Sequence, residues 1–152
     1  MNSDFKDLLR LFDEEKVKYL VIGGYAVIRY TEPRYTKDID LLLEPTIENA
    51  AKVLECLRKF GAPLYDLGVN DLIAAGTFYQ IGVVPNRIDL IVKVPGVDFV
   101  SAYANRENAV VDGISIPFIC CDDLISAKLA SGRPQDLVDA GALYKSKLNK
   151  PN

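Results

Sequence analysis

Residues Val21–Leu43 read VIGGYAVIRYTEPRYTKDIDLLL, and the fold turns on them. An apolar run, Tyr19-Leu20-Val21-Ile22, stops at Gly23-Gly24. A short segment with helical spacing follows, then Pro33, then a second apolar run carrying Asp38 and Asp40. The pattern predicts strand, short helix, turn and neighbouring strand. Residues two apart on a strand share a face, so Asp38 and Asp40 point one way while Ile39, Leu41 and Leu43 enter the core. Two such carboxylates repel each other, and burying either is costly unless positive charge sits between them. Mg²⁺ meets that need, because it takes one or two carboxylates together with substrate phosphates; Mn²⁺ favours the same oxygen ligands. Gly23 and Gly24 lack a Cβ and so let a phosphate approach the backbone closely, at the N-terminus of a helix expected to begin near Tyr25.

Working outward, 152 residues suffice for one domain with a real core, and 49% hydrophobic with 26% charged residues is ordinary for a globular protein. No apolar run approaches the roughly 20 residues of a membrane span, and MNSDFKDLLR is not a signal peptide, so the expectation is a cytoplasmic protein without a membrane partner. There is no histidine, which removes Ser-His-Asp and Cys-His catalysis, histidine metal sites and any imidazole base. Acid–base work falls to carboxylates, Lys or Tyr. Three cysteines, two of them adjacent (Cys120-Cys121), read as small buried hydrophobes and not as a disulfide framework or zinc site. A net charge of −3 gives no overall basic footprint for nucleic acid. Arg29, Arg34, Lys37, Lys128 and Arg133 remain as a candidate local basic patch.

Ser3 or Asp4 is expected to cap a first helix with Phe5, Leu8, Leu9 and Phe12 at helical spacing, ending near Glu15 before a strand at about 17–22. After the Asp-x-Asp strand, Thr46 caps a helix with Ile47, Ala50, Ala51, Leu54 and Leu57 as its apolar stripe, stopped by Gly61 and Pro63. Residues 77–84 and 87–92 predict a hairpin about Pro85-Asn86, and Asp112-Gly113 marks a second. Asp89 stands alone among aliphatics in Arg87-Ile-Asp-Leu-Ile-Val92; such an acid faces either a bound partner or water at a sheet edge. A helix beginning at Asp122-Asp123 ends at Gly132. Another restarts at Arg133-Pro134, with Leu137, Ala140, Leu143 and Tyr144 as its stripe. The fold class is α/β, a small mixed sheet flanked by helices, largely on one side, with two C-terminal helices.

The order strand, Gly-Gly, helix, then Asp-x-Asp on the next strand resembles the polymerase-β-like nucleotidyltransferase superfamily. The fuller string, Gly-Gly-Tyr-Ala followed by Arg34-x-Thr36-x-Asp38-Ile39-Asp40-Leu41, is similar to the abortive-infection (AbiEii-type) nucleotidyltransferase toxins and their small relatives. So is Lys128-Leu-Ala-Ser-Gly-Arg133-Pro-Gln-Asp136-Leu-Val-Asp139. The resemblance implies a single nucleotidyltransferase domain over 1–152, moving a nucleoside monophosphate from an NTP to an acceptor with release of pyrophosphate. It implies that Asp38, Asp40 and Asp89 hold Mg²⁺ or Mn²⁺ and that Asp89 helps deprotonate the acceptor. Gly23, Gly24 and Thr36 or Arg34 then face the triphosphate, Lys128 neutralises its outer charges, and Asp136 organises the site. Asp139 reads equally as part of that site or as a helix-end charge.

The acceptor is expected to be RNA such as tRNA, or a protein, because the chain leaves no dedicated acceptor domain; an antitoxin or other partner protein fits the toxin-like resemblance. Two other classes stay open. One is a non-catalytic, antitoxin-like binding module; the other is a transferase of small molecules such as aminoglycosides.

Overall fold

The computed structural model describes residues 1–33, 36, 38–74, 76, 78–82 and 86–149. Helix α1 (Ser3–Glu14) leads into β1 (Tyr19–Ile22), α2 (Gly23–Tyr30), β2 (Ile39–Leu43) and α3 (Ile47–Phe60). A short 3₁₀ turn precedes β3 (Phe78–Ile81) and β4 (Ile88–Ile91). Helix α4 (Phe99–Ala104), β5 (Glu107–Val111), β6 (Ile114–Phe118), α5 (Cys121–Ser131) and α6 (Pro134–Asn149) complete the chain. The six strands form one mixed sheet in the order β3-β4-β2-β1-β6-β5. β1 runs antiparallel to β2 and parallel to β6, and β2 runs parallel to β4. Each edge strand joins its neighbour in an antiparallel pair. None of the helices among the described residues is long and apolar enough to cross a membrane.

Every residue of β1 is buried, which demands cover on both faces of the sheet and corrects the expectation of helices largely on one side. Tyr19 meets Phe12 of α1 edge-on at 5.2 Å. In the antiparallel register Ile22 lies opposite Asp40, on the face away from Tyr19. That second face carries α2 and α5. The continuous apolar runs of the central strands record this double burial.

The helix ends are set by side chains the sequence supplies. Asn2, not Ser3 or Asp4, caps α1 by accepting a hydrogen bond from the Asp4 amide at 2.7 Å. Thr46 caps α3 and left-handed Gly61 (φ +89°) ends it, as the spacing predicts. The stripe of α3 is rotated, however: Asn49, Ala50, Val53, Cys56 and Leu57 are buried while Ile47 is exposed.

Asn49 is the reason for that rotation. It accepts from the Lys18 amide at 2.8 Å and donates to the carbonyls of Lys18 and Glu44, clasping the start of β1 to the end of β2. The stripe of α6 departs in the same way. Asp136, Asp139, Ala140 and Leu143 face inward, and Leu137 and Tyr144 face solvent. The β5–β6 hairpin closes at Asp112 (φ +50°) and Gly113 (φ +79°), the paired left-handed geometry that Asp-Gly signals. The β3–β4 pairing is as predicted, with Ile81 opposite Ile88, while its turn at 83–85 lies outside the described residues. No disulfide joins the three cysteines; Cys56 is buried, and Cys120 and Cys121 are only half-buried.

Candidate active site

The parallel register of β2 and β4 sets Asp40 directly beside Asp89. Neighbours in register share a face, so the two acids project together from the centre of the sheet. Asp89 is 4% exposed. Burial, the Asp89 carboxylate and, more weakly, Asp38 push the Asp40 carboxyl up to about 7, against the pull of Lys128.

Gly23 makes room for this arrangement. It adopts φ +71°, and a Cβ there would lie 2.1 Å from Oδ2 of Asp40. Asp40 therefore occupies the space that the missing side chain leaves, so the glycine serves the carboxylate directly. Gly24 follows in the first turn of α2.

The positive charge demanded by clustered carboxylates is present, and it is Arg87. Its Nε and Nη2 donate to Asp89 Oδ1 and Oδ2 at 2.8 and 3.2 Å. Nη2 also lies 3.2 Å from Asp38 Oδ2, while the Arg87 backbone N–H donates to Asp38 Oδ1 at 3.2 Å. The alternation that puts Asp38 and Asp40 on one face does the same for Arg87 and Asp89, a signal the sequence reading did not use.

A second charge cluster faces this one from α5 and α6. Lys128 Nζ stands 3.2 Å from Asp139 Oδ2 and 3.5 Å from Asp136 Oδ1. Arg133 donates to Asp136 at 2.8 Å and Gln135 to Asp139 at 3.0 Å. Both aspartates are 3% exposed. Arg133 first, then Lys128, hold the Asp136 carboxyl below the usual carboxylate range. The Gly132 left-handed cap (φ +68°) and Pro134 at the start of α6 fold the two helices into the hairpin that brings these groups together.

Between the clusters lies a cleft of about 300 Å³, lined by Ile22, Gly23, Asp40, Lys93, Lys128 and Arg133 among others. A hollow of about 330 Å³ beside Leu42, Ile73, Val97 and Phe99 is no smaller, but it lacks the facing charge clusters. Charge, not volume, marks the site.

Residues 3–147 fit the model of DUF6036, described as a nucleotidyltransferase of unknown function. The chain belongs to this nucleotidyltransferase family. No curated protein matches it by sequence. Solved structures share the fold. Lincosamide antibiotic adenylyltransferase LnuA, lincomycin-bound, is 16% identical over 96% of this chain and 98% of its own, with a TM-score of 0.59. ANT(2″)-Ia in complex with adenylyl-2″-tobramycin is 16% identical over 95% and 87%, with a TM-score of 0.61. The Thermotoga maritima protein TM1012 is 15% identical over 96% and 91%, with a TM-score of 0.63.

Within this nucleotidyltransferase chain the sequence-predicted residues are distributed as follows. Gly23, Asp40, Lys128 and Asp136 line the cleft, and Asp89 lies beside Asp40. Thr36 is half-buried and donates weakly to the Asp38 carbonyl at 3.4 Å; Arg34 lies outside the described residues. Among the described residues no three acid or thiol side chains converge as a ready-made metal shell. Asp40 and Asp89 nonetheless fit a divalent cation that arrives with a triphosphate, since such an ion needs only one or two carboxylates from the protein. The basic patch is mostly committed. Arg29 lies over the Phe118 ring at 4.9 Å, Lys128 and Arg133 are paired with acids, and Lys37 lies outside the described residues. Lys93, which the sequence reading passed over, is the exposed cation on the cleft wall with no ion pair among the described residues.

Proposed function

We propose that this protein is a divalent-metal-dependent nucleotidyltransferase that moves a nucleoside monophosphate from an NTP to an acceptor hydroxyl. The observation that carries the reading is the in-register pair Asp40–Asp89, with Asp38 at the entry to the same strand, facing a lysine across a cleft. Mg²⁺ or Mn²⁺, held by Asp38, Asp40 and Asp89, would supply charge neutralisation for the attacking and leaving oxygens. The acceptor oxygen forms its bond to the α-phosphorus as the bond to the bridging oxygen of pyrophosphate breaks. The acceptor proton passes to Asp89. Gly23 and Gly24, at the head of α2, present backbone N–H groups to phosphate. Lys128 and Lys93 offset the charge of the outer phosphates, and Asp136 and Asp139 fix where Lys128 stands.

The acceptor proposed first is RNA or a protein, reached across an open cleft. A toxin–antitoxin setting with a partner protein rests on the motif strings alone. A small-molecule acceptor is the second reading, and a specific observation favours it: this chain spans 98% of LnuA, whose structure holds lincomycin, so a fold of this extent is compatible with a small acceptor. The committed state of Arg29, Lys128 and Arg133 also reduces the cationic surface left for RNA.

The test is incubation with each labelled NTP and Mg²⁺ in the presence of cellular RNA, protein, an aminoglycoside and a lincosamide. Label in RNA or protein supports the first reading, and label in the antibiotic the second. NTP binding with no transfer to any acceptor would leave a non-catalytic binding module. Asp89→Asn is expected to retain NTP and lose transfer; normal transfer by that variant would remove Asp89 from the mechanism.

A further inference from the structure

Two of the three carboxylates assigned to the metal, Asp38 and Asp89, are already engaged. Both oxygens of Asp89 receive donors from the Arg87 guanidinium, at 2.8 and 3.2 Å. Asp38 is occupied at Oδ2 by the same guanidinium and at Oδ1 by the Arg87 amide. A cation held by Asp38 and Asp89 would compete with Arg87 for the same carboxylate charge, and two cations crowded on the same acids repel each other. We infer that Arg87 is the resident counter-ion of the acid cluster, which the metal–triphosphate must displace from Asp38 and Asp89 before the site can load. This rests on the nucleotidyltransferase reading above.

The physical logic is an exchange of partners. Without a cation, three clustered carboxylates, one of them almost fully buried, are a heavy electrostatic cost. Arg87 relieves it in the empty protein with a planar fork that matches carboxylate geometry. Its side chain is 28% exposed, and its ion pairs among the described residues are with these two acids alone. The guanidinium can therefore turn away while the strand backbone stays paired. A triphosphate offers the displaced fork an equivalent partner, because guanidinium binds phosphate oxygens in the same two-point manner. A bare metal ion offers none. Arg87 thus makes metal binding depend on nucleotide, and it positions Asp38 and Asp89 beforehand without itself needing to be a catalytic residue.

The experiment is Mn²⁺ binding to the full chain by electron paramagnetic resonance, with and without a non-hydrolysable NTP analogue, in wild type, Arg87→Met and Arg87→Lys. In wild type, Mn²⁺ should bind weakly alone and far better with the analogue. In Arg87→Met, affinity for Mn²⁺ alone should rise by on the order of tenfold, the scale on which the partners of metal ligands tune metal affinity. The thermal midpoint of that variant should fall without metal and recover when Mn²⁺ is added. Arg87→Lys keeps the charge but loses the fork, so its Mn²⁺ affinity should lie between the two; it carries the test if Arg87→Met does not fold. Mn²⁺ affinity unchanged or lower in the folded variants would overturn the counter-ion role while leaving the enzyme reading intact, provided wild type still binds Mn²⁺ with the analogue. Absence of Mn²⁺ binding in wild type with or without the analogue would overturn both.

Discussion

Asp40 is where burial of charge is felt most, and it makes the stability of this protein depend on pH in a defined direction. Its carboxyl is pushed up from 3.8 to about 7 by burial and by Asp89. Between those values the folded chain binds the proton more tightly than the unfolded chain. The stabilisation from this residue is therefore complete below the unfolded value of 3.8 and is lost as pH rises through about 7. Asp40→Asn cannot ionise and escapes the loss. Its thermal midpoint should match wild type near the acid end and exceed it by a growing margin as pH rises toward and past about 7. A difference that does not change with pH would show that Asp40 is not the group responsible. Asp136 acts in the opposite sense. Arg133 and Lys128 hold its carboxyl low, so what it contributes is present near neutrality and lost on acidification.

At the scale of elements, the α5–α6 hairpin is held by charge as much as by apolar contact. Its inward face carries Asp136 and Asp139 beside Ala140 and Leu143, and Lys128 is the group that answers both acids. A lysine that only held phosphate could be replaced by Met with little effect on stability. Here Lys128→Met removes a cation from both Asp136 and Asp139. It should lower stability by about 3 kcal/mol, the lower end for breaking a buried pair. Urea denaturation checks this. Adding Asp139→Asn to Lys128→Met should return part of the loss, because it removes an acid whose lysine partner has gone. A Lys128→Met variant as stable as wild type would mean that the two ion pairs contribute nothing, and any fall in NTP affinity would then belong to phosphate contact alone.

For the whole molecule, the strand order puts β2 and β4 side by side near the middle of the sheet, and the two acid-bearing strands are largely buried there. A site built on such strands should bind without large rearrangement of the backbone, so ligand binding should appear as simple stabilisation. Mg²⁺ with an NTP at about a hundredfold over its Kd should add about 2.7 kcal/mol. That corresponds to a rise of about 5–10 °C in thermal midpoint for a domain of this size. The NTP giving the largest rise identifies the preferred base. Asp40→Asn should abolish the Mg²⁺-dependent part of the shift. An equal shift in that variant would separate nucleotide binding from the acid cluster.

Much of this was legible in the sequence, for local reasons. Gly23-Gly24, Pro33 and the alternation around Asp38 and Asp40 act over a few residues, where backbone sterics and strand periodicity decide the outcome. So do the Thr46 and Gly61 caps and the Asp112-Gly113 turn. Hence the order of elements and the mixed α/β class could be read directly. What the tertiary structure alone decided is which residues meet across the chain. That Asp89 lies in register with Asp40 depends on β2 and β4 pairing in parallel, which no local spacing encodes. That Arg87 answers Asp38, and Lys128 answers Asp136 and Asp139, follows from desolvation. Polar groups driven inside by the packing around them must find partners, so the inward faces of α3 and α6 turned to bury Asn49 against backbone groups and Asp136 and Asp139 against cations. Hydrophobic periodicity counts apolar residues and is blind to a polar group whose partner sits on another element. The faces it misassigned are therefore those where a buried polar contact fixed the rotation of the helix.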